Sequence, residues 1–196
     1  MAKYENLILM NERIPSVRVP PLPADLWDDA VDKALRMMPE ERRNPLAAGN
    51  AISTFVNHPE LTRSYLAFSF YLLTRSTLAP RLRELAVLRI AHLTSCAYEW
   101  DEHLVIGKNA GLSEDDITAL QQGEAADEFD RTVLAAVDEL VEKTRISDET
   151  WAALGEKFDT RQLMDFVFTV GGYHMLAMAL NTFGVEPKSV ESTKEN

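Results

Sequence analysis

Cysteine is nearly absent: Cys96 stands alone in 196 residues, so no disulfide can close within the chain. That suits a reducing compartment. Positive charge is also short, with 20 Lys and Arg against 31 Asp and Glu and a net charge of −11. No basic cluster interrupts that balance, which argues against a phosphate backbone as partner, so nucleic acid is not expected. Long apolar runs are missing too. The longest, residues 166–180, falls short of the roughly 20 residues of a membrane span and carries Gly171, Gly172 and His174. A buried helix is the expectation there, with no membrane partner. Residues 1–6 hold no apolar run of the kind a signal peptide needs, so a cytoplasmic location is expected. Strand-like alternation bounded by turns is lacking as well, which leaves an all-α fold. At 46% hydrophobic and 26% charged residues, the chain has the composition of a folded globular protein rather than a disordered one.

What is present is a succession of helix signals. Residues 1–24 read as an arm, because Pro15, Pro20, Pro21 and Pro23 forbid a continuous helix. Asp25 is the expected cap of a helix to Met38, with Leu26, Trp27, Ala30, Val31, Ala34 and Leu35 on its apolar side. Pro45 and Pro59 each suit the first turn of a helix, ending near Val56 and Arg75. Pro80 opens a helix to Leu93, and Thr94 or Ser95 is expected to cap the next, which stops at Gly111. Ser113-Glu114-Asp115-Asp116 has the pattern of a capping box. Segments 127–144, 147–158 and 159–183 follow, the last stopping at Gly184. The expectation is one helical domain over residues 25–184 and a polar tail over 185–196.

Chemistry concentrates between Cys96 and His103. On a helix Cys96, Glu99 and His103 fall at i, i+3 and i+7, one stripe along one face. A thiol, a carboxylate and an imidazole can move protons or attack electrophiles. Cys96 is expected in the first turn, where free N–H groups favour a thiolate. Glu99, one turn before His103, is expected to set its tautomer. Each has a plainer reading: Cys96 as a small core residue, Glu99 as a helix-start anion, His92 as a hydrogen-bonded core histidine. A metal is not expected. Glu99 and His103 stand at i, i+4, whereas di-iron bundles repeat Glu-x-x-His at i, i+3, and no second copy exists. No other cofactor is implied.

The run Arg83-Glu84-Leu85-Ala86-Val87-Leu88-Arg89, then Cys96, Glu99, His103 and Ala110-Gly111-Leu112, resembles the signature of the carboxymuconolactone decarboxylase / alkylhydroperoxidase D family. Glu84 stands twelve residues before Cys96, and His103 seven after it, the spacing of the alkylhydroperoxidase D branch. That branch has a second cysteine where this chain has Glu99, so the disulfide chemistry it implies is not available within the chain. A glutamate four residues before the histidine resembles the lactone decarboxylase branch instead. The signature covers residues 60–123, and residues 164–183 resemble the C-terminal helix of longer members.

The resemblance implies an all-α, alkylhydroperoxidase D-like, oligomeric fold and an enzyme. The leading expectation is a cofactor-free acid/base enzyme acting on a small organic acid or lactone by decarboxylation or related lyase chemistry. His103 would donate the proton, Glu99 tune it, Glu84 serve as second carboxylate and Cys96 line the site. Tyr98 and His174 are the candidate substrate-binding side chains, and one of Arg81, Arg83 or Arg89 is the candidate for a substrate carboxylate. A one-cysteine peroxidase with Cys96 as nucleophile is the alternative, and a non-catalytic helical oligomer the third. Apolar surface on residues 64–73 and 166–180 points to a homo-oligomer, which for this family means a trimer, hexamer or dimer.

Overall fold

A computed structural model describes residues 16–187. Among these residues there are nine α-helices, two short 3₁₀ turns and no strand, as the absence of alternation implied. The helices are α1 (Asp29–Leu35), α2 (Pro45–Phe55), α3 (Pro59–Thr74), α4 (Pro80–Leu93), α5 (Ala97–Asn109), α6 (Glu114–Gln121), α7 (Glu128–Lys143), α8 (Asp148–Gly155) and α9 (Thr160–Phe183). They group into two compact units. One holds α1 to α3 with the chain after Met178, and the other runs from Arg75 to Met178.

In the first unit the opening helix is shorter than expected. Pro23 is followed by a 3₁₀ turn, Ala24–Leu26, and α1 starts only at Asp29. Asp28, not Asp25, is its cap, accepting from the Ala30 and Val31 amides at 2.9 and 3.1 Å. Asn44 caps α2 through the Ala47 amide, and Gly49 breaks that helix with φ 81°, a conformation that suits glycine. Val31, Leu35, Met38, Ala48, Val56 and Leu66 form the unit's core. The segment before Pro23 is tied down: Arg18 and Val19 donate to the Phe183 carbonyl, and Leu22 donates to that of Ser53. The arm's first fifteen residues and the tail from residue 188 lie outside the described residues.

The second unit is built around α4. Nine successive residues, Arg83 to Ala91, are buried, so this helix has no solvent face. A helix enclosed on all sides must be apolar, or its charges must be paired. Arg89 meets that demand with Asp138, Nε to Oδ1 at 2.7 Å and Nη2 to Oδ2 at 2.8 Å. Its Nη1 donates to the Leu120 and Gln121 carbonyls at the end of α6. Gly123, at φ +73°, leaves room for it: a Cβ there would stand 3.1 Å from Arg89 Nη2. Arg81 pairs with Asp130 at 2.7 Å and Asp116 at 3.3 Å. The capping box at Ser113 and Asp116 is present in both directions.

Close approach of α4 and α5 depends on Gly107. A Cβ at this position would come within 3.1 Å of Leu88 and Leu112 methyl carbons, and 3.6 Å from Glu84 Cβ. The α4–α5 turn also differs from expectation. Neither Thr94 nor Ser95 caps α5: Ser95 takes φ 51°, the Cys96 amide bonds back to the Ala91 carbonyl, and Cys96 itself is the cap residue. Finally, α9 extends well beyond residues 166–180 and, by length and composition alone, is long enough to cross a membrane. Of its most apolar stretch, 44% is buried inside the chain.

Arg89 yields the first prediction. Arg89→Ala strands Asp138 and two helix-end carbonyls, and is expected to cost about 3 kcal/mol, the lower end for a broken buried pair because Asp138 is partly exposed. Arg89→Lys is expected to recover little, since a single ammonium cannot reproduce the fork. Urea midpoints at constant m-value check both.

Candidate active site

Glu84 on α4 has no solvent exposure, and both its oxygens are engaged. Oε1 accepts from Arg83 Nε at 2.8 Å, and Oε2 meets His103 Nδ1 at 2.7 Å. Burial by itself would raise the Glu84 pKa, but the His103 hydrogen bond and charge, followed by Arg83, outweigh it and hold the carboxyl below its usual value. An ionised Glu84 accepts and cannot donate, so His103 Nδ1 carries the proton and donates to it. That assignment leaves Nε2 as the atom available for proton exchange. The Tyr173 ring of α9 meets the His103 ring edge-to-face, with centroids 4.9 Å apart at 89°. His103 is thus held by a carboxylate and by an aromatic ring.

Here the expected wiring is corrected. Glu99 does not orient His103; Glu84 does, from the neighbouring helix. Glu99, one turn before His103 on α5, is 1% exposed, and neither of its oxygens has a hydrogen-bond partner. Burial raises its pKa to about 8, opposed only slightly by the nearby Cys96 thiol, which forms no hydrogen bond of good geometry with it. At neutral pH this side chain is a carboxylic acid. Two glutamates near one histidine therefore hold opposite protonation states, set by their environments.

Cys96 is corrected as well. It is wholly buried, and it precedes the first turn of α5 instead of lying within it. Burial, then the Glu99 charge, raises its pKa; the Glu99 and Tyr98 amides pull the other way without making a cap hydrogen bond and do not prevail. A thiol is favoured over a thiolate.

Of the three arginines, Arg81 and Arg89 are committed to acidic partners away from His103, while Arg83 joins the site through Glu84. Tyr98 lies half-buried in the first turn of α5 and His174 half-buried on α9. It is Tyr173, the residue before His174, that carries the ring contact to His103. Arg83, expected only as a candidate for a substrate carboxylate, is engaged with Glu84. Tyr173 is the addition that sequence reasoning did not place at the site, and the only available signal was its adjacency to His174. His92 packs at a tilt against Trp100, and its Nδ1 has no hydrogen-bond partner, unlike the bonded core histidine expected. Burial, then the Arg89 charge, lowers its pKa. Among the described residues no three His, Cys, Asp or Glu side chains converge as a metal site would require.

The state of Glu99 is testable without a substrate. Folded, it keeps its proton up to about pH 8; unfolded, it loses it near 4.5. The native state binds the extra proton between those values, so Glu99's contribution to stability is full below the unfolded pKa and is lost as pH rises to the folded one. Relative to Glu99→Gln, which does not titrate, the wild type is expected to lose stability from pH 5 to 8 by at most about 1.4 kcal/mol per pH unit. Unfolding free energies of both proteins across that range measure the gap; a constant gap would show that Glu99 does not titrate there.

Residues 59–142 match the model of the carboxymuconolactone decarboxylase family, a stretch containing Glu84, Cys96, Glu99 and His103. No curated protein matches the sequence significantly. Among solved structures, an uncharacterised peroxidase-related protein from a Silicibacter species is similar at a TM-score of 0.72 and 15% identity, over 87% of this chain and 93% of that one. A second peroxidase-related protein, from Ralstonia eutropha and described as an alkylhydroperoxidase AhpD core, gives 0.68 and 18% over the same shares. A protein of unknown function from Agrobacterium tumefaciens gives 0.63 and 22%, over 68% of this chain and 94% of that one. At these identities the likeness speaks for the fold. Residues 59–142 of this chain are thus similar to the carboxymuconolactone decarboxylase family, and the fold is that of the alkylhydroperoxidase D-like neighbours.

Proposed function

We propose that the chain is a cofactor-free acid/base enzyme acting on a small organic acid or lactone, by decarboxylation or closely related lyase chemistry. The observation that carries this reading is the buried Arg83–Glu84–His103 chain, with 2.8 and 2.7 Å links. It fixes the imidazole tautomer and directs Nε2 to proton exchange. In a decarboxylation the carbon–carboxylate bond breaks, carbon dioxide leaves, and the electron pair passes to a conjugated carbonyl oxygen of the substrate. A proton then closes the sequence at carbon. His103 Nε2 takes that proton from solvent and delivers it. Glu99, protonated at neutral pH, donates a hydrogen bond to the developing enolate oxygen. Glu84 and Arg83 act through His103 as positioning residues.

A thiol peroxidase is the second reading, favoured by the description of two structural neighbours as peroxidase-related. It would require Cys96 to be ionised and reachable, and the burial and raised pKa of this thiol weigh against it. For that reason the lyase reading leads.

Carbon dioxide release from a panel of lactone carboxylates and small keto acids tests the proposal. In the substrate found, folded His103→Ala and Glu99→Gln are expected to lose on the order of 10²–10⁴ in rate, and Cys96→Ser to keep most of it. Wild-type turnover by His103→Ala would remove His103 from the chemistry. Intact mass after brief stoichiometric peroxide supplies the other arm: rapid, thiol-reversible oxidation at Cys96 would put the peroxidase reading in its place.

A further inference from the structure

A cavity of about 40 Å³ lies within the first unit, between the arm, α2 and the chain that follows α9. One water needs only ~10–15 Å³ of such space, so the cavity takes a group of about three or four non-hydrogen atoms. Gly49 breaks α2 immediately before Asn50. From there helical period sets Asn50 and Thr54 on one face, and both line the cavity. Thr54 is 2% exposed, and its hydroxyl has no hydrogen-bond partner. A threonine within a helix ordinarily donates to the carbonyl four residues back. Thr62, Thr74 and Thr118 do so here, to His58, Phe70 and Glu114. Thr54 does not.

We propose that this cavity binds a small uncharged molecule carrying one hydroxyl or carbonyl oxygen, with the Thr54 hydroxyl as its hydrogen-bond partner. Several polar groups around the cavity are engaged elsewhere. Asn50 Nδ2 donates to the Glu186 carbonyl at 2.9 Å, and the Val19 and Val185 amides donate to the Phe183 and Leu180 carbonyls. Pro21 has no amide, and with Val17, Val19 and Val185 it contributes apolar wall. A buried water is held by two to four polar partners. One oxygen on a short apolar body matches this wall better. Charge narrows the class further. Among the described residues no Lys or Arg lines the cavity, whereas Glu186 does, so a carboxylate is disfavoured. The ligand class therefore differs from the organic acids of the proposed reaction, and the inference stands apart from that reading.

The free protein carries a cost for this arrangement. A buried hydroxyl without a partner is destabilising, and a methyl group of the same shape in its place is neutral or stabilising. The missing hydrogen bond is what a ligand supplies. A molecule bound here also touches both the arm and the segment after α9. It therefore reinforces the bonds from the Arg18 and Val19 amides to the Phe183 carbonyl that already join those segments.

Methyl NMR of the full chain with isotope-labelled valine tests the proposal, with acetone, propan-2-ol and acetate as probes of equal size. Acetone and propan-2-ol are expected to shift the Val17, Val19 and Val185 methyl signals saturably. Their dissociation constants are expected on the order of 1–10 mM, within the ceiling for so small a ligand. Acetate is expected to leave those signals in place. Thr54→Val is expected to weaken acetone binding roughly three- to tenfold, the worth of one neutral hydrogen bond. The same variant, without ligand, is expected to keep or raise the urea midpoint. Absence of saturable shifts would leave the cavity to water and overturn the proposal. Acetate binding as tightly as acetone would overturn the ligand class. Undiminished acetone affinity in Thr54→Val would remove Thr54 from the site, and a lowered midpoint in that variant would show its hydroxyl already satisfied in the free protein.

Discussion

The complete burial of α4 is the constraint on which the rest of the second unit depends. A helix with solvent on one side can leave its charges in water; Arg83, Glu84 and Arg89 have no such outlet. Each must find a partner inside or impose a large desolvation cost. Arg89 meets Asp138 and the end of α6, and so fastens α6 and α7 to the central helix. Glu84 meets Arg83 and His103, and so fastens α5. The same requirement that closes the core also selects the imidazole proton that faces the carboxylate.

This economy divides the titratable groups around His103 into those with partners and those without. Glu84 has two cationic or donor partners and stays ionised. Glu99, equally buried, has none and keeps its proton. Cys96 shares the dry surroundings of Glu99 and remains a thiol. A neutral acid beside an imidazole of fixed tautomer is a combination suited to moving one proton at a time. A thiolate nucleophile would want the reverse, an exposed sulfur near positive charge.

Helix α9 shows how a single element serves two surfaces. Its residues at one set of positions join the core, Phe166, Val170 and Tyr173 among them. Those at the intervening set are apolar and exposed. A helix apolar on all sides is normally enclosed on all sides. Among the described residues, Met164, Met175 and Met178 of this helix stay about half exposed.

Much of this architecture was legible from residue order alone, because its causes are local. Pro45, Pro59 and Pro80 open helices where a missing amide costs nothing, Ser113 and Asp127 cap the helices they precede, and Gly111 and Gly184 stop theirs with positive φ. The stripe of Cys96, Glu99 and His103 likewise follows from helical period. What residue order did not settle is every relation between helices. Asp28 displaced Asp25 as cap because Pro23 started a separate 3₁₀ turn. His103 pairs with Glu84, nineteen positions away, in preference to Glu99 at one turn. Gly107 sets that choice by letting α4 approach α5. Whether Cys96 is ionised depends on how much water reaches it, which is a property of the packed interior. Period and capping act within a few residues and can be read along the chain. Partner choice, protonation and burial are decided by groups brought together from different helices, and only the tertiary structure decides those.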